Sequence, residues 1–221
     1  PAALRRAFEL HGTPKAVVAV HLYGNPAKLD EITAICREHG VPLIEDAAEA
    51  LGSTYNGQKC GTFGEFGGLS FNGNKIITTS GGGMLLCRTE TDARHALKLA
   101  TQARENAPWY QHEEIGYNYR MSNICAGIGR GQMTVAREHI DHHKHVQKLY
   151  EKLLADIPGI KVNKAPSEKF DSNYWLCTIT IDESVKVKGQ EKAYAAAIIS
   201  AVGGAAGVIH VGGGVHTDCA V

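Results

Sequence analysis

The sequence has no excess charge of either sign, because its 221 residues include 23 basic (Lys and Arg) and 23 acidic (Asp and Glu) residues. This balance gives no reason to expect nucleic acid or a membrane surface as a partner. The six cysteines are scattered without a C-x-x-C pair, which favours reduced thiols in a cytoplasmic protein. The sequence also lacks a P-loop motif, and no G-x-G-x-x-G follows its first predicted strand. Any anion that the protein binds must therefore be held by a local site.

A strand-helix-strand unit is predicted near the beginning of the chain. Residues 15–22 form a β-branched apolar run, residues 30–39 have helical spacing, and a second apolar run at 41–44 ends in Glu45 and Asp46. Such a unit implies parallel strands with a right-handed crossover. Open α/β sheets bind ligands at the carboxyl ends of their strands, which would place Asp46 for chemistry. On position alone, the simpler interpretation is that the two acids solvate a strand end.

The middle of the chain is rich in glycine. Residues 55–58 read as a hairpin turn, since Asn-Gly tolerates the positive φ angles of a tight turn. Two short strands are predicted at 69–71 and 84–87, and Lys75 lies in the loop between them. A single loop lysine is usually a solvated surface charge. The glycines at 81–83 fit a tight turn as well as a phosphate cradle.

Several stretches taken together are more specific than any one of them. They are residues 44–53 (IEDAAEALGS), 70–75 (SFNGNK), 78–84 (TTSGGGM), 115–123 (IGYNYRMSN) and 173–176 (NYWL). In this order they resemble the DegT/DnrJ/StrS-type sugar-nucleotide aminotransferases, which use pyridoxal 5′-phosphate (PLP), over roughly residues 15–182. The resemblance implies an α/β protein of PLP-dependent aminotransferase fold type I, with a mostly parallel sheet and a smaller α+β C-terminal domain.

The resemblance also implies a role for each matched residue near the cofactor ring. Lys75 would be the catalytic residue, because it would hold PLP covalently and then move a proton between the substrate carbon and C4′. Asp46 would pair with the pyridine nitrogen and keep it protonated. Ala48 would pack against the ring face, and Glu49 would lie near the ring edge.

Two further residues are implied to contact the cofactor phosphate. Ser70 would donate its hydroxyl to the phosphate, and Asn118 would reach the phosphate bound by a neighbouring subunit. A homodimer with a shared active site is therefore expected. The alternatives are that Ser70 caps a strand and that Asn118 stabilises a turn.

The implied reaction has two halves, in which glutamate would give its amino group to the cofactor and a nucleotide-linked keto sugar would receive it. The sequence is most similar to members that act on UDP-linked 4-keto-6-deoxy-N-acetylhexosamine, as in bacillosamine-type precursors. One alternative is a non-catalytic relative that binds PLP or sugar nucleotide. Another is sugar dehydration on the same scaffold, for which a histidine would replace the lysine; Lys75 argues against it.

A large PLP-binding domain is predicted at residues 1–133 and a small domain at 134–221. A helical pattern begins after Ser122, a predicted N-cap, and continues to residue 154. Strands are predicted at 161–164 and 174–181. His139 and His143 have the spacing of a metal pair, but without a third ligand nearby we expect a solvated helix face and no metal.

Both ends of the chain depart from the expected family pattern. Relatives are expected to carry a further N-terminal section, which supplies a phosphate contact, an aromatic group over the ring and part of the dimer interface. From about residue 185 the tail is atypical, and Asp218 is the only charged side chain in residues 193–221. A membrane helix of alanine and glycine would insert poorly. We expect a divergent, truncated or frame-shifted end.

Overall fold

The structure is a computed structural model, and it describes residues 1–182 of the chain. The predicted atypical tail lies outside these residues. The α-helices in the described part are α1 (Ala2–His11), α2 (Leu29–Glu38), α3 (Glu90–Ala100), α4 (Asn123–Met133) and α5 (Ala136–Leu153), and a short 3₁₀ helix spans Leu22–Gly24. The strands are β1 (Val17–Val20), β2 (Leu43–Asp46), β3 (Thr54–Tyr55), β4 (Gln58–Lys59), β5 (Phe66–Ser70), β6 (Gly83–Cys87), β7 (Ile160–Val162), β8 (Phe170–Asp171) and β9 (Ile179–Ile181).

The main sheet has the strand order β1-β2-β5-β6. Strand β1 runs parallel to β2, and β2 runs parallel to β5, whereas β6 is antiparallel to β5. The carboxyl ends of the three parallel strands, at Val20, Asp46 and Ser70, therefore meet at one edge of the sheet. The predicted α/β class with a mostly parallel sheet is confirmed.

Helix α2 connects β1 to β2 and covers one face of the sheet. Its buried residues are Leu29, Ile35 and Cys36, and because Ile35 and Cys36 follow Leu29 by six and seven residues, or about two helical turns, the three share one apolar face. Leu29 and Cys36 pack with Leu43 of β2 in the largest buried cluster. The predicted strand-helix-strand unit is therefore present with shifts of one or two residues at its ends.

The predicted hairpin at residues 55–58 is also present. Asn56 and Gly57 have φ angles of 49° and 79°, which are the positive values required at both positions of a type I′ turn. Strand β3 pairs with β4 on one side and with β8 on the other, so the hairpin connects residues that are far apart in the sequence. The rings of Tyr55 and Phe170 meet edge to face, with centroids 4.9 Å apart, at this junction.

Helix formation after Ser122 differs in one respect from the expectation. The Ser122 hydroxyl accepts a hydrogen bond from the Cys125 N–H, as predicted for an N-cap. The helical region is divided, however, because Val135 has φ −113° and ψ 4°, outside helical geometry. This break lies close to the domain boundary predicted at residue 133, and the boundary itself stays a prediction.

The predicted strand at 174–181 is shorter than expected. Only Ile179–Ile181 forms a strand, which pairs with β7. A second core lies beside this pair and includes Tyr150, Leu154 and Val162. At the beginning of the predicted strand the backbone N–H groups of Tyr174 and Trp175 donate instead to Ser172 Oγ and Asn173 Oδ1, at 2.9 and 2.8 Å, and so they are not available for strand pairing. In residues 1–182 no helix combines the length and apolar character needed to cross a membrane.

Glu45 is a fully buried carboxylate inside the sheet. It accepts backbone hydrogen bonds from Gly61 at 2.7 Å, Phe63 at 2.5 Å and Gly64 at 2.8 Å. Burial alone would raise the pKa of Glu45, but the hydrogen bonds to its carboxylate outweigh burial and hold the pKa below its ordinary value. Glu45 therefore fixes the loop between β4 and β5 against β2.

The buried His21 completes this arrangement. Its Nδ1 accepts a hydrogen bond from the Ala27 N–H at 3.1 Å, so its proton lies on Nε2 and is donated to Glu45 Oε2 at 3.0 Å. Successive side chains of a strand point to opposite faces. Because Glu45 points inward, Asp46 points to the other side of the sheet.

We expect Glu45→Gln to lower the free energy of unfolding by about 3 kcal/mol, because an amide N–H₂ would then face groups that are themselves donors. Urea denaturation of the 221-residue chain measures this loss. The matched control is Glu65→Gln, since Glu65 forms an exposed pair with Arg88 at 3.1 Å. That variant should lose less than about 1 kcal/mol. Equal losses in the two variants would contradict a structural role for Glu45.

The stability difference should also depend on pH. Because the folded-state pKa of Glu45 lies below its unfolded value, its stabilisation is complete above the unfolded pKa and is lost as the pH falls through the folded pKa. The difference between the wild type and Glu45→Gln should therefore shrink below about pH 4. A difference that stays constant down to acid pH would oppose this explanation.

Candidate active site

The candidate site lies at the carboxyl edge of the parallel strands. Asp46 is the last residue of β2, and its Oδ1 accepts a hydrogen bond from the Ala48 N–H at 3.1 Å. This contact fixes the carboxylate at the beginning of the turn that follows the strand. Ser70, the last residue of β5, lies two residues beyond Gly68, which pairs with Asp46 across the sheet.

Lys75 is positioned by a short turn after β5. Its N–H donates to the carbonyl of Asn72 at 3.1 Å, and its side chain is only 14% exposed. Its Nζ lies 3.7 Å from Glu49 Oε1 and 4.1 Å from the centroid of the Trp175 ring. Lys75 is therefore not an ordinary solvated surface lysine, because its amine is enclosed between a carboxylate and an aromatic face.

Glu49 is held from the side opposite to the lysine. Its Oε2 accepts a hydrogen bond of 2.6 Å from the Tyr23 N–H, in the turn that follows β1. Tyr23 has a φ of 59°, a left-handed conformation that is costly for a residue with a side chain and that often occurs at functional sites. Burial raises the pKa of the Tyr23 hydroxyl, and the negative charge of Glu49 raises it further.

Asn173 is a fully buried polar residue that organises the same region. Its side-chain N–H₂ donates to the carbonyls of Glu49 at 2.9 Å and Leu51 at 3.0 Å. Its Oδ1 accepts a hydrogen bond from the Trp175 N–H at 2.8 Å, and its own N–H donates to Ser53 Oγ at 2.9 Å. The amide of Asn173 therefore connects the turn that carries Glu49 to the segment that carries Trp175.

The packing around Asn173 leaves no space for any side chain at position 24, which is occupied by glycine. A Cβ atom on Gly24 would lie 1.9 Å from Asn173 Oδ1, and the φ of Gly24 is 86°. The hydroxyl groups of Ser53 and Ser172 both donate to the Gly24 carbonyl, at 2.7 and 3.0 Å. Glycine at this position allows the turn after β1 to approach the buried amide closely.

Trp175 is anchored to the loop that it covers. Its indole Nε1–H donates to the carbonyl of Asn74 at 2.6 Å, and Asn74 immediately precedes Lys75. The sequence motif at 173–176 pointed to this segment but not to any contact with the lysine. That contact joins residues one hundred positions apart, which no local pattern reveals.

The two residues expected at the phosphate have different surroundings. Ser70 Oγ accepts a hydrogen bond from the Asn72 N–H at 3.3 Å, and as an acceptor it keeps its own hydrogen for donation. Asn118 forms an isolated bridge with Thr101, and its side chain is exposed. The roles of both residues stay predictions.

The histidines of α5 do not all form a solvated face, and for two of them that expectation is wrong. His139 Nδ1 lies 2.9 Å from the Ile76 carbonyl, and His143 is half-buried. Burial lowers the pKa of His143, while a hydrogen bond with the backbone of Tyr174 acts in the opposite direction. Within residues 1–182 no three His, Cys, Asp or Glu side chains are grouped to hold a metal ion.

The fold and site define an α/β protein in which an enclosed lysine amine lies beside a glutamate carboxylate, close to the carboxyl edge of the sheet. The sequence profile of the DegT/DnrJ/EryC1/StrS aminotransferase family matches residues 1–202. The chain is 50% identical over 189 residues to EpsN of Bacillus subtilis, whose name assigns it to the pyridoxal phosphate-dependent aminotransferases; the match covers 84% of this chain and 48% of EpsN.

Two further similarities agree with this result. The chain is 39% identical over 173 residues to GDP-perosamine synthase of Vibrio cholerae, covering 78% of this chain and 47% of that enzyme. The crystal structure of the aminotransferase TlmJ from Streptoalloteichus hindustanus superimposes with a TM-score of 0.74 at 33% identity, covering 78% of this chain and 47% of TlmJ.

The chain belongs to the DegT/DnrJ/EryC1/StrS aminotransferase family. The predicted family is therefore confirmed, and with it the fold class and pyridoxal phosphate as the cofactor of the family. The chain spans about half the length of the curated relatives it matches.

We expect Asn173→Asp to lower the free energy of unfolding by about 2 to 3 kcal/mol. The substitution keeps an oxygen for the Trp175 N–H but turns a carboxylate oxygen towards the two carbonyls that the amide now satisfies. Urea denaturation measures the loss. Asn56→Asp is the matched control, because Asn56 is exposed in a turn where aspartate is tolerated. A loss no larger than that of the control would contradict the proposed hydrogen-bond network.

Proposed function

We propose that this chain is the cofactor-binding and catalytic part of a PLP-dependent aminotransferase that acts on nucleotide-linked keto sugars. The observation that carries the proposal is the enclosed amine of Lys75, which is 14% exposed and lies 3.7 Å from a carboxylate oxygen of Glu49. Family membership provides independent support for the reaction type. The alternative of a solvated surface lysine does not fit this degree of enclosure.

The residues at the sheet edge have the chemistry that PLP requires. PLP, when bound, supplies an electron-accepting pyridine ring. Asp46 provides a carboxylate for the ring nitrogen, and Ala48 provides a face with a single methyl group. The Ser70 hydroxyl is able to donate to a phosphate oxygen, and Lys75 provides a primary amine. Each group thus matches one part of the cofactor.

Each residue then has a defined task in the proposed mechanism. The Asp46 carboxylate, which its hydrogen bond from the Ala48 N–H holds in place, would keep a proton on the ring nitrogen. Lys75 would hold the cofactor covalently and, as a released neutral amine, would take a proton from the substrate carbon and return it at C4′. Glu49 lies next to this amine and supplies a compensating negative charge.

Family membership supports a nucleotide-linked sugar as the substrate but does not specify which sugar or which amino donor. We propose glutamate as the amino donor and a UDP-linked 4-keto-6-deoxy-N-acetylhexosamine as the acceptor. The similarity to GDP-perosamine synthase makes a GDP-linked sugar the alternative acceptor. We also propose a homodimer in which the exposed Asn118 reaches the cofactor phosphate of the partner subunit.

The cysteines in the described part of the chain support a location in the cytoplasm. Cys36, Cys60, Cys87, Cys125 and Cys177 are all free thiols, which is typical of a cytoplasmic protein.

We propose that the large domain comprises residues 1–133 and that the small domain follows it at residues 134–221. The helix break at Val135 lies next to this boundary.

Lys75→Ala should abolish covalent attachment of PLP. The wild-type chain with added PLP should absorb in the visible region, and borohydride should fix the cofactor to the peptide that contains Lys75. Mass spectrometry of the digested protein locates the adduct. Lys148→Ala is the control, because Lys148 is exposed on α5. A cofactor adduct that persists in Lys75→Ala would disprove the assignment of this lysine.

The acceptor is tested by supplying glutamate with UDP-linked or GDP-linked 4-keto-6-deoxy sugars and measuring the aminated product by mass spectrometry. We expect the UDP-linked sugar to be aminated at least about tenfold faster than the GDP-linked sugar, which is equivalent to a difference of about 1.4 kcal/mol in activation free energy. A preference for the GDP-linked sugar would reverse the substrate assignment. PLP attachment without amination of either sugar would favour a non-catalytic binding protein.

A further inference from the structure

The geometry points to a positioning role for Trp175: its indole face and the Glu49 carboxylate together form a resting place for the free ammonium group of Lys75. This inference rests on the proposed function, in which Lys75 attaches the cofactor. It adds a residue whose contact with the lysine comes from a segment remote in the sequence.

The distances show how the amine is held. The Nζ atom of Lys75 is 4.1 Å from the centroid of the Trp175 ring, within the range in which a cation is attracted to an aromatic face. Its separation from Glu49 Oε1 is 3.7 Å, longer than a hydrogen bond. The ammonium is therefore stabilised by charge and by the ring without a close directional bond that would resist its departure.

The ring is fixed relative to the lysine by two hydrogen bonds. The indole N–H binds the carbonyl of Asn74, the neighbour of Lys75, and the backbone N–H of Trp175 binds the buried Oδ1 of Asn173. Asn173 also binds the carbonyl of Glu49. Both groups that flank the amine are thus positioned by one buried amide, which makes them a single unit.

A resting place of this kind suits the proposed reaction. An amino donor that replaced Lys75 on the cofactor would form its own nitrogen bond to the cofactor carbon as the bond to Lys75 Nζ broke, and a proton of the donor amine would pass to Nζ, so that Lys75 would leave as a neutral amine. This amine would become a positively charged ammonium when it accepted the proton from the substrate carbon. Trp175 and Glu49 would then stabilise this ammonium, and so they favour the free lysine over the attached one.

A purely structural role for Trp175 is the competing explanation, since the ring also packs against the cluster that contains Phe71, Ile76 and Ile77. The two explanations predict opposite effects. Loss of packing should loosen the site and weaken PLP attachment. Loss of the resting place destabilises only the free ammonium, so attachment should become tighter.

The experiment compares Trp175→Leu and Trp175→Phe with the wild-type chain at neutral pH. The fraction of Lys75 trapped by borohydride is measured over a range of PLP concentrations. We expect Trp175→Leu to reach half-maximal trapping at a concentration about three to ten times lower than the wild type. Trp175→Phe should lie between them, because it keeps an aromatic face but loses the indole N–H. Trp109→Leu, at the exposed Trp109, is the matched control.

A second measurement needs no cofactor. In ¹³C-lysine-labelled protein, ring currents should shift the ε-methylene signal of Lys75 upfield, and the signal is assigned by its loss in Lys75→Ala. The shift should vanish in Trp175→Leu, persist in part in Trp175→Phe and stay unchanged in Trp109→Leu. If Trp175→Leu does not fold, Trp175→Phe carries both measurements.

The possible failures are distinguishable. Weaker or unchanged attachment in folded Trp175 variants, with normal attachment in the wild type, would overturn the resting-place proposal and leave the proposed function intact. The absence of any trapped Lys75 adduct in the wild type would instead overturn the proposed function. A Lys75 methylene signal at its ordinary position in the wild type would show that the ring does not cover the amine in solution.

Discussion

The buried carboxylate of Glu45 is the constraint on which the candidate site depends. A charge inside the sheet is tolerated only because three backbone N–H groups and His21 satisfy it. Those hydrogen bonds fix the loop that leads into β5 and hold the end of β2 in one register. Since neighbouring side chains of a strand alternate, the inward position of Glu45 determines the outward position of Asp46. The orientation of Asp46 is thus set from inside the protein.

Asn173 has a comparable role on the other side of the site. Its amide satisfies two carbonyls of the turn after β2 and accepts the N–H of Trp175. Removing either set of partners would leave buried polar groups without hydrogen bonds, which costs more than the bonds themselves contribute. The turn after β2 therefore cannot move independently of the segment near residue 175. This coupling explains why groups from distant parts of the sequence meet at one amine.

Local features of the fold were predictable from the sequence, and long-range contacts were not. Helix α2 and the Asn56-Gly57 turn depend on spacing and on φ preferences of a few adjacent residues. The antiparallel direction of β6 and the break at Val135 have no comparable local signal. Residues 174–178 have the alternation of a strand, but the hydrogen bonds at Asn173 and Trp175 take precedence over strand pairing.

The same distinction applies to the site. Lys75 and Asp46 were predicted as site residues because they occur within matched motifs, whereas the enclosure of the lysine by Trp175 requires the folded chain. If Lys75 attaches the cofactor as proposed, its free ammonium should not be bound too firmly by its neighbours. A carboxylate at hydrogen-bond distance would hold the ammonium strongly in a partly buried site, while the observed 3.7 Å separation leaves most of the contact to a ring face without directional bonds. The arrangement therefore stabilises the charge of the free amine and still permits its release.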